Sequence, residues 1–339
     1  MDKLYGFHQV YSEIFHDFKN NRLHHCNLLV GTRGIGKSSF ARSVAGMILS
    51  IKHDGQCISE AEVEKTNNII RNGGHTDLII LNVNTTDDST RDTPPKREEI
   101  GVGQTRKAME GIKLTQSISK NKVMIVDSID IVNTNGQNAL LKVLEEPPAN
   151  TYLFLVCHRL RRVLDTVVSR CNIIRIADLT LEDWKMAFRS ACVANNINTN
   201  GVCDEDVYDL SNHSVSFALA IVSNEAKNMY QIIVENIFSR DMLGIQKLVD
   251  SIYNSELLSI FRTFMEKFFE DMIRCHRKKS FGIFGKNGDN AKNFMNKSGL
   301  QGILKKYEFT SKILRDMDSY NLDRKHCLTV LLDNLNFAS

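Results

Sequence analysis

The sequence lacks the features of several large classes of protein. No stretch approaches the roughly 20 apolar residues of a membrane-spanning helix, and residues 1–11 are polar and charged where a signal peptide carries an apolar segment. The net charge is only +3, which does not indicate binding to nucleic acid through charge alone. These absences predict a soluble cytoplasmic protein.

Closely spaced cysteine pairs are also missing. The eight cysteines contain no C-x-x-C pair, which argues against a zinc ribbon and against a disulfide framework. Free thiols in a reducing compartment are the simplest interpretation. The cysteines lie at positions 26, 57, 157, 171, 192, 203, 275 and 327.

What the sequence does contain is a phosphate-binding pattern. An apolar run at residues 28–30 predicts a buried strand, and helix-forming residues follow from Phe40. Between them, glycines and a Lys-Ser pair follow the spacing G-x-x-x-x-G-K-S. The residues of this candidate nucleotide site are Gly31, Gly34, Gly36, Lys37, Ser38 and Ser39.

Nucleotide binding explains why these residue types occur together. Glycines let the backbone curl until N–H groups point inward, and the start of the following helix adds positive potential, so the loop is suited to phosphate. Lys37 would reach the β- and γ-phosphates, and the Ser38 hydroxyl would bind Mg²⁺. The alternative is a plain glycine turn between a strand and a helix, which leaves Lys37 and Ser38 unexplained.

An aspartate at the end of a later strand completes the pattern. Residues 78–83, 122–126 and 152–156 predict three further strands, and Asp127 directly follows the second of these. In P-loop sites such a carboxylate holds the water shell of Mg²⁺. Ser38 and Asp127 are therefore the candidate magnesium ligands, acting through a bound nucleotide.

Two later stretches carry a family resemblance. Residues 138–148 read N-A-L-L-K-V-L-E-E-P-P and end a predicted helix that begins near Asn133 or Thr134, since the prolines disfavour helical geometry at Glu146. This stretch resembles the signature of clamp-loader subunits of the AAA+ superfamily, and residues 169–171 match the S-R-C motif of that family. The similarity is greatest to the delta-prime subunits of bacterial DNA polymerase III clamp loaders, with further matches at residues 24–25 and 75–77.

The resemblance implies a three-part architecture. We expect an α/β P-loop AAA+ module, with a parallel sheet flanked by helices, over residues 1–177. A small helical lid over 178–224 and an all-α collar over 225–339 would follow, and both regions have helical spacing of apolar residues. The family assembles as a hetero-oligomeric ring, so other clamp-loader subunits are the expected partners, with the sliding clamp and primer-template DNA reached through the complex.

The resemblance also assigns a role to Arg170. In the family, the S-R-C arginine projects from the helix after the fourth strand into the ATP site of the neighbouring subunit. Arg170 is therefore the candidate arginine finger acting in trans. The alternative is a buried arginine that ties a helix to the sheet.

The chain departs from the hydrolytic members of the family at several positions. Ser128 stands where motor subunits carry a glutamate that polarises water, and Asp130 would need a rearranged turn to replace it. Cys157 and His158 occupy the position of a polar sensor residue, and residues 213–219 contain no sensor arginine. Many relatives carry a four-cysteine zinc module, but only Cys57 lies in that region, so no zinc site is expected.

Several polar segments allow more than one interpretation or have no assigned function. The arginines at 159, 161 and 162 and the basic cluster 274–279 are either solvated helix ends or DNA contacts. Residues 84–98 predict a mobile surface loop. The pair His24-His25 is read as loop polarity, and no metal ligand is assigned to it.

Two functions from different classes fit the nucleotide site. The first is an assembly subunit that binds ATP without hydrolysing it, has no polymerase activity of its own and completes its neighbour's site. The second is a working AAA+ ATPase motor, against which Ser128 and the missing sensor arginine count. A P-loop kinase or DNA-repair protein explains neither residues 138–148 nor residues 169–171.

Overall fold

The protein folds as two compact units, each built around its own core. One unit comprises Met1–Ser190 with His213–Ser216, and the other comprises Ala191–Asn212 with Phe217–Ser339. The division into three domains stays a prediction. The computed structural model describes residues 5–51, 59–83, 85, 99–114, 117–199, 204–224, 226–239, 242–252, 255–278, 280, 282–320 and 322–335.

The first unit contains a five-stranded sheet in which every paired strand is parallel. The strands are β1 (Cys26–Val30), β2 (Leu78–Asn82), β3 (Lys122–Asp127), β4 (Thr151–Cys157) and β5 (Asn172–Arg175). Their order in the sheet is β2-β3-β4-β1-β5, so β1 lies between two strands that come much later in the chain.

Four of these strands were predicted, and one was not. The predicted strands are apolar, and in β3 the side chains from Val123 to Val126 are fully buried, as expected where helices cover both faces of a parallel sheet. The missed strand β5 has only four residues, of which Asn172 and Arg175 are polar and exposed. Its strand geometry comes from pairing with β1.

Helices connect the parallel strands, as crossover connections require. Asn133, one of the two predicted caps, caps the helix Thr134–Glu145, since its side chain accepts a hydrogen bond from the N–H of Gly136 at 2.8 Å. The first helices in the chain are α1 (His8–Lys19), α2 (Lys37–Leu49), α3 (Glu60–Arg71), α4 (Val102–Lys113), α5 (Thr134–Glu145), α6 (Asp165–Val168) and α7 (Leu181–Ala194).

A buried carboxylate fixes the chain where it enters β3. Asp77 is 1% exposed and accepts backbone hydrogen bonds from Ser117, Ile118 and Ser119, each at 2.8 Å. Burial raises the pKa of the Asp77 carboxyl, but these N–H groups and the nearby His75 outweigh burial and hold that pKa below its ordinary value. The resembling residues 75–77 therefore have a structural role, which is to anchor the segment that leads to Asp127.

The second unit is helical and has an aromatic core. Phe261, Phe264, Phe268 and Phe269 lie on one helix, and each is at most 2% exposed. The helices are α8 (Asp204–Leu210), α9 (Val215–Ser223), α10 (Met229–Ser239), α11 (Met242–Ile252), α12 (Ser255–Lys278), α13 (Gly288–Ser319) and α14 (Arg324–Asn334).

Helix α13 is interrupted at Gly299, whose φ of 60° is non-helical. A 3-10 turn (Gly282–Asn287) directly precedes α13. Within the described residues, no helix is both long and apolar enough to cross a membrane.

Candidate functional site

The predicted nucleotide-binding residues converge at the carboxyl edge of the sheet. Strands β3, β4 and β1 are neighbours and parallel, so their C-terminal ends meet at this edge. Asp127 ends β3, Cys157 ends β4, and the loop from Gly31 to Gly36 follows β1 and leads into α2. These three segments therefore lie together at one edge of the sheet.

Two glycines of the loop have backbone angles that other residues rarely adopt. Gly34 has a φ of 81°, and Gly36, the residue before α2, has a φ of 102°. A side chain on Gly34 would also collide with the Ser214 hydroxyl. Gly31 begins the loop and donates its N–H to the carbonyl of Cys157 at 3.3 Å.

In this structure, the side chains that would contact a nucleotide form hydrogen bonds within the protein. The Lys37 ammonium donates to the carbonyls of Gly31 and Thr32, both at 2.6 Å. The Ser38 hydroxyl donates to Oδ2 of Asp127 at 2.6 Å, so the two predicted magnesium ligands are adjacent. Ser39 is exposed in the first turn of α2.

Burial changes the proton affinity of Lys37. The side chain is 2% exposed, and this burial lowers the pKa of Lys37 to about 8, although the charges of Asp130 and Asp127 act in the opposite direction. An anionic ligand in the loop would add to the effect of those carboxylates. Phosphate binding would therefore raise the pKa of Lys37 and favour its charged form.

Asp130 is engaged in a structural hydrogen bond. It is 7% exposed, and its Oδ1 accepts the backbone N–H of His158 at 2.9 Å. Ser128, directly after Asp127, is buried and has no carboxylate. The described residues therefore supply the loop, the lysine and the candidate magnesium ligands, while Asp130, the next acid after Asp127, holds the chain after β4.

His158 follows β4 and lies close enough to Lys37 to be affected by its charge. Burial, and then the positive charge of Lys37, lower the pKa of His158 to about 4, so its ring is neutral at physiological pH. Its Nδ1 is buried and has no hydrogen-bond partner among the described residues.

The first turn of α9 contacts the loop directly. The backbone N–H of Ser216 donates to the carbonyl of Gly34 at 3.2 Å, and Ser214 packs against the same glycine. Residues 213–216 belong to the first unit, although they are distant from the loop in sequence. Sequence reasoning identified this segment only by the arginine that it lacks and did not predict the contact.

Arg170 lies at the amino edge of the sheet, opposite the carboxyl edge where the loop lies. Residues 169–171 form the turn between α6 and β5, so the arginine follows the short helix and does not project from within it as expected. Arg175, at the far end of β5, pairs with Val30, which directly precedes the loop. Arg170 is therefore separated from the loop by the length of β5, which is roughly 15 Å at 3.3 Å per residue.

The Arg170 guanidinium is held at the surface. It forms an ion pair with Oε1 of Glu145 at 2.6 Å and donates to the carbonyl of Thr166 at 2.9 Å. Its side chain is 35% exposed, which argues against the alternative of a buried arginine. Glu145 lies in the N-A-L-L-K-V-L-E-E-P-P stretch, so the two family-like motifs are in contact, which sequence reasoning did not foresee.

The histidine pair at the start of β1 makes local bonds. His25 Nε2 donates to the carbonyl of Leu144 at 2.9 Å, and His24 Nδ1 lies 2.8 Å from the carbonyl oxygen of Cys26. Within the described part of the chain, no cluster of three or more His, Cys, Asp or Glu side chains has the arrangement of a metal site.

The remaining polar segments lie only partly within the described residues. Arg274, from the basic cluster 274–279, pairs with Asp271, a fully buried carboxylate that also accepts a 2.6 Å bond from the Tyr230 hydroxyl. Arg274 thus has a structural partner that the sequence did not indicate. Lys279 and Cys57 lie outside the described residues, and so does the predicted loop 84–98 except for Thr85.

Comparison with known proteins gives matches concentrated in the first half of the chain. Residues 7–180 match the model of a family described as DNA polymerase III, delta subunit. The chain is 31% identical over 153 residues to the DNA polymerase III subunit delta' of Pseudomonas aeruginosa, which covers 43% of this chain and 41% of that protein. It is 30% identical over 186 residues to the DNA polymerase III subunit gamma of Buchnera aphidicola subsp. Schizaphis graminum, which covers 53% of this chain and 46% of that protein. The chain thus spans about half the length of these curated relatives, or less.

Among solved structures, a DNA polymerase III gamma subunit-related protein from Thermotoga maritima aligns with 95% of this chain and 98% of its own. The sequence identity is 13% and the TM-score 0.43.

Proposed function

The chain belongs to the DNA polymerase III delta-subunit family, because residues 7–180 match the model of that family. We propose that it is a clamp-loader subunit that binds ATP without hydrolysing it. In the same proposal, the chain completes the ATP site of a neighbouring subunit. In this role it helps to load the sliding clamp onto primed DNA. The partners are the other subunits of a hetero-oligomeric ring. The clamp and the primer-template DNA are reached through that complex.

Nucleotide binding is supported by the groups at the carboxyl edge of the sheet. The loop has the positive-φ glycines that a phosphate cradle needs, and α2 begins at Lys37 with its N-terminus toward the loop. Ser38 and Asp127 offer adjacent hydroxyl and carboxylate oxygens, which is the ligand chemistry that Mg²⁺ prefers. These two residues would hold the magnesium of Mg-ATP, which neutralises phosphate charge.

The absence of hydrolysis is supported by one observation above all. The buried Asp130 carboxylate accepts the N–H of His158, and Ser128 follows Asp127 where a catalytic acid would stand. Turning Asp130 toward a water beside the γ-phosphate would leave that N–H unpaired, which costs roughly 1–3 kcal/mol for a buried group. No other described acid in the segment from Asp127 to Asp130 is available to activate water.

Action in trans is supported by the position of Arg170. It lies at the edge of the sheet away from its own loop and presents a guanidinium that is 35% exposed. Glu145 fixes the direction of the side chain without burying it. A permanently charged, planar donor held in this way suits stabilisation of negative charge on a neighbour's γ-phosphate.

Assembly through residues 225–339 is supported by an apolar helix face. Leu300, Leu304 and Tyr307 lie at i, i+4 and i+7 after the break in α13, and they are 44%, 43% and 41% exposed. We propose that this α13 face contacts another subunit in the collar of the ring. Exposed apolar side chains at helical spacing are typical of such contacts.

Calorimetry and a phosphate-release assay on the purified chain test the proposal together. We expect Mg-ATP to bind with weak to moderate affinity, binding to be lost in Lys37→Ala, and turnover to be negligible. Sustained hydrolysis that disappears in Lys37→Ala would identify an ATPase motor instead. A complete lack of binding would leave the loop as a structural element and would refute the nucleotide part of the proposal.

A further inference from the structure

Two cysteines that the nucleotide chemistry does not use lie in contact at the amino edge of the sheet. The Sγ atoms of Cys26 and Cys171 are 3.0 Å apart, and both thiols are free in this structure. Cys26 begins β1, and Cys171 is the last residue of the S-R-C motif, directly before β5. The two residues are separated by 145 positions in the sequence, so the fold alone brings them together.

The backbone geometry suits a disulfide at this position. Asn27 and Asn172 are partners in the parallel pairing of β1 with β5, so Cys26 and Cys171 occupy the preceding pair of positions. Neighbouring strands lie about 4.8 Å apart, which falls within the Cα separation of roughly 4.4–6.8 Å found in disulfides. Because Cys171 lies in a turn and not in the ladder, about 1 Å of sulfur movement needs no break in the sheet.

We propose that Cys26 and Cys171 form a reversible disulfide when the protein meets a low-molecular-weight disulfide such as oxidised glutathione. The chemistry consists of two thiol–disulfide exchanges. Cys171 as the thiolate attacks a sulfur of the small disulfide, which forms a mixed disulfide and releases one small thiol. Cys26 then gives its proton to solvent and attacks the Cys171 sulfur, which releases the second small thiol. Two protein thiols are oxidised, and one small disulfide is reduced to two thiols.

The environments of the two sulfurs assign the order of attack. Cys171 is half-buried and reachable from solvent, whereas Cys26 is fully buried. The hydrogen bond to Cys171, and then burial, raise the pKa of the Cys26 thiol, so Cys26 is the slower of the two to react with an external reagent. Cys171 is therefore the attacking thiol, and Cys26 is the resolving thiol.

The bond would form next to Arg170. It would tie the turn of residues 169–171 to the first residue of β1, while Glu145 still holds the guanidinium. The disulfide is independent of the proposed role of Arg170, since it depends only on the contact between the two sulfurs.

Peptide mapping of the full chain tests the inference. The folded protein is incubated with oxidised glutathione, the remaining thiols are alkylated, and the unreduced digest is examined by mass spectrometry. We expect a linked pair of peptides containing Cys26 and Cys171, and loss of both cysteines together from the alkylated pool. In Cys26→Ser we expect Cys171 to retain glutathione, since no resolving thiol is present. Cys275→Ser, which removes a buried cysteine of the second unit, should form the linked pair as the wild type does.

Two results would overturn the inference, and neither depends on the variants folding. One is wild-type protein that accumulates glutathione on Cys171 without the linked peptides. The other is wild-type protein in which Cys171 stays fully alkylatable after prolonged exposure to the oxidant. Circular dichroism of Cys26→Ser, with Cys26→Ala as a second variant, checks that the retained glutathione reflects a missing thiol and not an unfolded chain.

Discussion

Replacing Arg170 with alanine separates a catalytic role from a structural one, because the two roles predict free-energy effects of different magnitude. Its ion pair with Glu145 joins side chains that are 35% and 50% exposed, and such surface pairs contribute only about 0–1 kcal/mol to stability. An arginine finger contributes on the order of 10³–10⁵ in rate, which corresponds to about 4–7 kcal/mol of transition-state stabilisation. We therefore expect Arg170→Ala to change the free energy of unfolding by about 1 kcal/mol or less.

The assay is the DNA-stimulated ATPase of the assembled clamp loader, measured with clamp loading. With Arg170→Ala, the complex should assemble normally, while ATP turnover at the site next to Arg170 falls by about 10³-fold or more. Glu145→Gln is the matched control, since it removes the charge that orients the guanidinium but retains Arg170. Because this variant retains the arginine but orients it poorly, its ATP turnover should fall less than that of Arg170→Ala, by at most about 10²-fold.

Two measurements would contradict this reasoning. Unchanged ATPase in a fully assembled Arg170→Ala complex would eliminate the finger. A loss of more than about 3 kcal/mol in unfolding free energy, before any effect on turnover, would indicate that the arginine is structural, since an exposed pair cannot contribute that much.

Three further predictions concern other parts of the chain. Because the pKa of Lys37 is about 8 and bound phosphate favours its charged form, ATP affinity measured by calorimetry should fall above that pH by up to about tenfold per unit, but not in Lys37→Arg. Asp77→Asn should lower the unfolding free energy, measured with urea, by about 3 kcal/mol, because buried N–H groups lose a charged acceptor. The control Asp17→Asn, at an exposed carboxylate, should lower it by less than about 0.5 kcal/mol. Leu304→Asp should abolish co-purification with partner subunits while the chain stays folded. Leu114→Asp, a control at a leucine that is 70% exposed, should leave co-purification unchanged. Equal co-purification of both variants would refute the α13 contact.

The carboxyl edge of the sheet could be predicted because its signals are local in sequence. Apolar strands, the glycine spacing and the Lys37-Ser38 pair each fall within a few residues, and the rule that parallel strand ends meet then brings Asp127 to the loop. The helix ending at Glu145 was equally predictable, since Asn133 and the double proline limit it on both sides.

The rest of the site depends on contacts between distant segments. The pairing of Arg170 with Glu145, the hydrogen bond from His158 to Asp130, and the contact of Ser216 with Gly34 have no periodic signature. Strand β5 was missed for a similar reason, because its neighbour β1 and not its own composition makes it a strand.

The strand order has a consequence for how the protein folds as it is synthesised. β1 is the first strand of this sheet to be synthesised, yet both of its neighbours come late in the chain: Cys26 pairs with Leu153, and Asn27 pairs with Asn172. At about 5–20 residues per second, the 145 residues between Asn27 and Asn172 take roughly 7–30 seconds to synthesise. The apolar strand β1 has no partner in the sheet until β4 is synthesised, and it lacks its second partner until the end of that interval. An unpaired apolar strand is prone to aggregation. The first unit therefore cannot complete its sheet until β5, which follows the turn at residues 169–171, has been synthesised.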